Sequence, residues 1–111
     1  MRIPTRVFGV LLCGVTGSAA ANPAHDQLSA LPEPNRQVVL AQVLTRSGER
    51  CTSVSRTFYQ GNDKAGSAYW NATCASGKSF SIQINNDAST RVVDCELFKA
   101  MNAGNCFTKF R

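Results

Sequence analysis

The sequence predicts an α+β domain: one N-terminal helix packed on a three- to four-stranded antiparallel meander, a short C-terminal helical turn and two disulfides. Three observations carry this. Between Asn35 and Gly48 the pairs Val39/Val43 and Leu40/Leu44 recur at i,i+4, the spacing of one helix face. From Cys51 onward the apolar period changes to two and is broken by turn-rich segments. Four cysteines, Cys51, Cys74, Cys95 and Cys106, follow an N-terminal segment with the features of an export signal.

That segment spans residues 1–21. Arg2 and Arg6 precede the apolar run Val7 to Val15, and the small residues Gly17-Ser18-Ala19-Ala20-Ala21 follow. This is the pattern of a secretory signal peptide cleaved after Ala21, or after Ala20. The apolar run is shorter than the ~20 residues a membrane span needs, and no other stretch matches it, so no span is expected in the mature chain. Cys13 lies in the apolar run behind Leu12, whereas a lipoprotein signal places a small residue before its cysteine, so lipidation is not expected. Removing the signal leaves ten Lys and Arg against seven Asp and Glu, a net charge of +3. The positive residues are scattered from Arg36 to Arg111 without a basic run. Nucleic acid and anionic membranes are therefore not expected partners.

Residues 22–34 hold Pro23, Pro32 and Pro34 with few large apolar side chains, and predict a mobile leader carrying the single histidine, His25. Residues 35–111 then form a single small disulfide-bonded domain. Asn35 is the expected N-cap of the helix and Gly48 its stop. Val38 and Val39 favour strand, which makes a buried strand the alternative for this run.

In the first strand Val54, Arg56 and Phe58 alternate with Ser and Thr. Gly61 to Gly66 forms a turn, and Trp70, Ala72 and Cys74 then alternate with Tyr69, Asn71 and Thr73. A turn at Ser76-Gly77-Lys78 leads to Phe80, Ile82 and Ile84. Matching apolar rows sets Phe58 opposite Trp70, Val54 opposite Cys74, Cys74 opposite Phe80 and Ala72 opposite Ile82. Asn85 to Ser89 is a third turn. Arg91 to Cys95 reads as a fourth strand with Val93 and Cys95 inward, Leu97 to Met101 as the helical turn, and Gly104 as its end.

Four cysteines admit three pairings. In this register Cys74 and Cys95 sit two strands apart, ~9–10 Å, beyond the ~7 Å that a disulfide spans. Cys51–Cys74 with Cys95–Cys106 is the expected pairing. It requires Cys51, whose parity is wrong for the buried row, to lie in the helix-to-strand junction. Finding Cys51 joined to Cys106 would instead return the tail to the helix junction and remove the Cys95–Cys106 clip.

No constellation points to catalysis. His25 sits in the leader, where nothing positions it as a base. Asp63 and Asp87 occupy turns, where a carboxylate usually caps backbone. Asp94 and Glu96 flank Cys95 and read as a solvated edge. The cysteine spacings of 23, 21 and 11 are not those of a zinc site, and no metal or cofactor is expected. Asn71-Ala72-Thr73 matches a glycosylation acceptor, yet its place in a strand reads as sheet surface. Tyr59 and Tyr69 are expected to pair across strands on the face away from Phe58 and Trp70, either as a contact platform or as a stabilising pair.

The features Phe58, Gly61-Asn62-Asp63, Ala68-Tyr69-Trp70-Asn71, Cys74, Ser76-Gly77-Lys78-Ser79-Phe80, Val93-Asp94-Cys95 and Gly104-Asn105-Cys106-Phe107 resemble a group of small exported proteins of alphaproteobacteria. The group has no assigned activity, so no residue role carries over. The resemblance implies a Gram-negative periplasm or secretion beyond it. The expectation is a non-catalytic binding or accessory module of the cell envelope, its partner an envelope protein or a small ligand. An inhibitor of a secreted hydrolase is the alternative, and a small enzyme using Asp63, Asp94 or Glu96 the third reading.

Overall fold

The computed structural model describes residues 21–110. The export segment, with Cys13, lies outside these residues apart from Ala21. The element order is α1 (Pro23–Ala30), α2 (Glu33–Arg46), β1 (Val54–Asn62), β2 (Ala68–Cys74), β3 (Ser79–Ile84), β4 (Thr90–Asp94) and α3 (Cys95–Ala100). The strands form one antiparallel meander in the order β1-β2-β3-β4. The α+β class, the meander, the C-terminal helix and both disulfides are as the sequence predicts.

The leader is the first correction. Residues 23–30 are helical, and the sequence cue is the pair Asn22-Pro23, an N-cap followed by proline at the first helical position. Asn22 Oδ1 accepts from the His25 amide at 3.2 Å. Its Nδ2 donates to the Gly66 and Ile84 carbonyls at 3.0 and 2.9 Å, so a side chain only 2% exposed has its amide satisfied. Leu28 is buried beside Leu40 and Leu44 of α2. Arg36 closes the far end by donating to the Leu31 and Ser29 carbonyls at 2.8 and 3.1 Å.

α2 begins two residues before the expected Asn35 cap, at Glu33. The Glu33 carboxylate accepts from the Thr57 amide and hydroxyl on β1 and from Gln37 and Arg36 on its own helix. Burial pushes this carboxyl up, but those donors outweigh it and hold its pKa below the ordinary value. Gly48 ends the helix as expected. Its φ of +89° lets its amide and that of Glu49 fold back onto the Thr45 and Leu44 carbonyls.

Leu40, Leu44, Trp70, Ala72, Phe80 and Ile82 form the core between the helices and one face of the sheet. The register differs from strict alternation. β1 carries bulges between Val54 and Arg56 and between Tyr59 and Gly61. Val54 faces Cys74 as expected, but the first bulge inserts a residue, so Tyr59 opposes Trp70 and Phe58 opposes Asn71 on the other face. Between β2 and β3 the pairs are Ala72 with Phe80 and Trp70 with Ile82, two residues from the expected register, and the tight loop is Ala75-Ser76-Gly77. The buried row is kept because a shift of two preserves the face. In β4, Val92 opposes Ile82 and packs on the core, while Val93 lies on the opposite face, the reverse of the expected orientation.

That opposite face is covered as well. α3 and residues 101–110 lie across it, so the sheet is the middle of three layers. Asn71 is fully buried there: it donates to Gln60 Oε1 at 2.9 Å and accepts from the Phe107 amide at 2.6 Å. Gln60 donates to the Asn105 and Thr108 carbonyls at 2.8 and 3.0 Å. The Phe110 amide adds to the β1 edge through the Gln60 carbonyl at 2.9 Å. Gly61, with φ +141°, fits beneath Phe110, whose ring lies 3.1 Å from where a Cβ would stand. Burial also closes Asn71 to glycan attachment in the folded state.

Cys51–Cys74 ties the α2–β1 junction to β2, and Cys95–Cys106 ties α3 to the tail, with Cα separations of 5.5 and 5.9 Å. Each bridge is worth about 2–4 kcal/mol. The first closes 23 residues and is buried, and the second closes 11 residues at the partly exposed cover. The variant Cys51→Ala/Cys74→Ala is therefore expected to lose about 1 kcal/mol more than Cys95→Ala/Cys106→Ala, as read by urea unfolding. Equal losses would place the first bridge outside the cooperative core. Asn22→Ala is expected to lose about 1–3 kcal/mol, because it removes the side-chain donor to the Ile84 carbonyl and leaves the Gly66 carbonyl only the longer Asn62 contact at 3.3 Å. A loss under about 0.5 kcal/mol would show that α1 does not depend on this anchor.

Candidate functional site

Tyr59 and Tyr69 do not pair. Tyr59 lies on the helix face beside Trp70, with ring centroids 5.2 Å apart, and hydrogen-bonds Asn62. Tyr69 lies on the covered face, edge-on to Phe110 at 5.2 Å. The bulge before Arg56 separates them. Its sequence signal is Arg56 itself, a guanidinium in a row read as buried. In the structure Arg56 is exposed and stacks over Phe107, its Cζ 4.1 Å from the ring centroid.

Two side-chain groupings remain. The first lies under α1. Trp70 Nε1 donates to His25 Nδ1 at 2.9 Å, and the imidazole stacks on Tyr59 at 4.7 Å. The bond requires an unprotonated Nδ1, so the imidazole is neutral with its proton on Nε2. Arg36 sits over the Trp70 ring at 5.3 Å, and Lys109 over Tyr59 at 4.6 Å. Burial lowers the His25 pKa, and Asp26 opposes that shift. No nucleophile or carboxylate completes a catalytic set around this imidazole among the described residues.

The second grouping is a cleft of about 250 Å³ on the covered face, where the tail and α3 leave part of the sheet open. Its floor is two cross-strand rows. Tyr69, Gln83 and Arg91 form one, and Ser81 and Val93 the next. Neighbouring strands place residues in a row ~4.8 Å apart, and successive rows lie ~7 Å apart. Phe98 of α3, Met101 at its C-cap and Phe110 of the tail wall it, and the exposed Asp63 also borders it.

The polar groups of this cleft are unequally occupied. Asp63 Oδ1 accepts from the Ala65 and Ser67 amides, each at 3.0 Å, and Oδ2 from the Tyr69 hydroxyl at 3.1 Å. Burial pushes the Tyr69 phenol above its usual pKa, and the Asp63 contact adds to the shift. Gln83 donates to Asn85 at 2.8 Å. Arg91, exposed on β4, has no hydrogen-bond or ion-pair partner among the described residues. Ser81 is 3% exposed, and its hydroxyl likewise has none. The other buried polar side chains, Asn22, Gln60, Ser67 and Asn71, are all partnered.

A larger hollow, about 460 Å³, runs between α2 and residues 51–54, lined by Val38, Ala41 and Cys51. Its lining mixes these with Gln37, Gln42, Thr45 and Arg46, and among the described residues no buried polar side chain there lacks a partner. The carboxylates weighed for catalysis serve local roles. Asp94 caps α3 through the Glu96 amide at 2.8 Å and pairs with Lys78 at 3.3 Å. Asp87 accepts from the Ser89 amide and hydroxyl in its turn. Glu96 is exposed on α3. Among the described residues no group of three or more His, Cys, Asp or Glu could hold a metal ion, and no helix is long and apolar enough to cross a membrane. No known protein family, curated protein or solved structure matches this chain.

The neutral His25 gives a pH prediction. Its folded pKa lies below 6.5, so the stability it contributes is whole above pH 6.5 and is lost as pH falls through the lowered value. Below that point Nδ1 becomes a donor facing the Trp70 donor, with Arg36 and Lys109 adding like charge nearby. Between pH 7.5 and 5 the wild-type unfolding midpoint is expected to fall more than that of His25→Phe, which keeps the stacking and cannot titrate. Parallel pH profiles for the two proteins would remove His25 as the titrating group.

Proposed function

We propose that this chain is an exported, non-catalytic binding module of the cell envelope, periplasmic or released, whose ligand site is the cleft between the sheet and its C-terminal cover. One observation carries the reading. Ser81 is a buried hydroxyl on the floor of that cleft with no partner among the described residues, whose other buried polar side chains are all satisfied. A buried group left unsatisfied costs about 1–3 kcal/mol, and a bound molecule would recover it. Apolar walls with a few convergent polar groups are the usual make-up of a small-ligand site. Export is supported by the signal-like segment and the two disulfides. It is supported further by Asn22, the residue after the read cleavage site, which already caps α1 and is buried. The resemblance to small exported alphaproteobacterial proteins agrees with this.

A second reading is favoured by one specific feature. Asp63-Lys64-Ala65 is exposed at the β1–β2 turn, while the base of the turn is fixed by Asp63 Oδ1 and by the Asn22 amide on the Gly66 carbonyl. A rigid exposed turn suits an inhibitor of a secreted hydrolase. Trypsin inhibition at micromolar protein that disappears in Lys64→Ala would favour it. No inhibition would remove it.

The binding reading is tested by a ligand-observed NMR screen of small polar and amphiphilic compounds against the mature protein and Val93→Phe, which fills the cleft. Hits are expected to bind the wild type and to lose at least tenfold in affinity for a variant with an unchanged unfolding midpoint. Hits that bind both proteins equally would place the site elsewhere. Hits consumed by the wild type would make the protein an enzyme.

A further inference from the structure

We infer that the cleft takes a small organic carboxylate with a short apolar body, its carboxylate held by Arg91 and the Ser81 hydroxyl. The inference rests on the binding reading above and names the ligand class for that site. Charge decides the sign of the ligand. Two charged groups border the cleft, Asp63 and Arg91. Asp63 is already occupied by two backbone amides and the Tyr69 phenol. Arg91 is unpaired among the described residues, so the available charge is positive. A guanidinium presents its N–H groups as a planar fork that matches a carboxylate, and such bonds are about twice as strong as neutral ones.

Ser81 and Arg91 stand on neighbouring strands, one cross-strand row apart on the same face. Both are donors, and neither has a protein acceptor among the described residues. A carboxylate has two oxygens and can meet both. Tyr69 does not compete, since its hydrogen is committed to Asp63.

The rest of the cleft selects the body. Val93, Phe98, Met101 and Phe110 are apolar, and the volume of about 250 Å³ lies below the 300–1,000 Å³ usual for drug-sized ligands. A branched or aromatic group of a few carbons fits against these four side chains. Asp63 at the border disfavours a second negative charge, so the ligand is a monocarboxylate. The small volume favours a free acid over the end of a peptide chain.

The test uses the full mature protein, with backbone amide resonances followed during titration with 4-methylpentanoate, 4-methylpentanamide and N-acetylglycylleucine. The acid is expected to shift the resonances of Ser81, Arg91 and Phe110 and to bind at least tenfold tighter than the amide. Arg91→Gln is expected to abolish that difference, and Ser81→Ala to weaken the acid several-fold, each with an unchanged unfolding midpoint. Equal binding of acid and amide would overturn the carboxylate assignment and leave the cleft as a site. Tighter binding of the dipeptide than of the acid would overturn the free-acid assignment in favour of peptide ends. Shifts confined to Val38 and Ala41 would move the site to the α2 groove and overturn it. No shift with any probe, while the screen above yields hits lost in Val93→Phe, would also overturn the ligand class alone. If both experiments find nothing, the cleft is not a ligand site.

Discussion

The outer layer of this protein depends on the burial of one amide. Asn71 lies on the sheet face that alternation assigns to water, yet it is fully buried. A side-chain amide in that position must find partners or cost several kcal/mol. It finds Gln60 on the neighbouring strand and the Phe107 amide in the tail, and Gln60 in turn donates to two more tail carbonyls. The tail is thus fixed by polar bonds first, with Phe107 against Phe58 and Phe110 against Tyr69 supplying the apolar part. Every later feature of that face follows from where this network ends. Beyond it, past Tyr69 and Ser81, the cover thins and the cleft opens.

The two faces of the sheet combine apolar packing and hydrogen bonds in different proportions. On the helix side, Leu40, Leu44, Phe80 and Ile82 exclude water without directional constraint, and Cys51–Cys74 clamps the junction. On the other side hydrogen bonds set the geometry and Cys95–Cys106 stops the tail from leaving. Hydrophobic packing tolerates small shifts, whereas a satisfied amide network does not. A site built at the edge of the polar layer therefore has fixed walls, which suits recognition of a small molecule. The same contrast separates the two hollows. The α2 groove mixes apolar side chains with exposed polar ones, whereas the cleft carries a buried donor at a defined row position.

How far the sequence is legible follows the same division. The helix face is readable, because Leu40/Leu44 at helical spacing and the row Trp70, Ala72, Cys74 state their burial directly. The disulfide pairing is readable too, since alternate strands cannot be bridged. The bulges in β1 escape a strict period of two, although Arg56 in an inward row is a visible contradiction that a one-residue insertion resolves. Strict alternation carries Arg56 to Tyr59 to the wrong face after the first bulge, and the second bulge restores the phase by Gly61. That is why Tyr59 and Phe58 change sides and the tyrosine pair dissolves.

The leader and the cleft are illegible for another reason: their partners lie far away in sequence. Asn22 is an ordinary cap until Gly66 and Ile84 are placed beside it, 44 and 62 residues away. His25 reads as an idle histidine until Trp70 is set against it. Phe107 and Phe110 are the signal for a covered second face, two large apolar residues after the last strand with nothing on the open side of a meander to receive them. The composition of that face is polar because its cover is backbone. A tail without regular structure brings unpaired amides and carbonyls, and a sheet face rich in Asn, Gln and Ser can satisfy them where an apolar one cannot. Ser81 belongs to that polar set and lies just beyond the reach of the tail. Its hydroxyl has no partner among the described residues, and the proposed ligand site rests on that one unsatisfied donor.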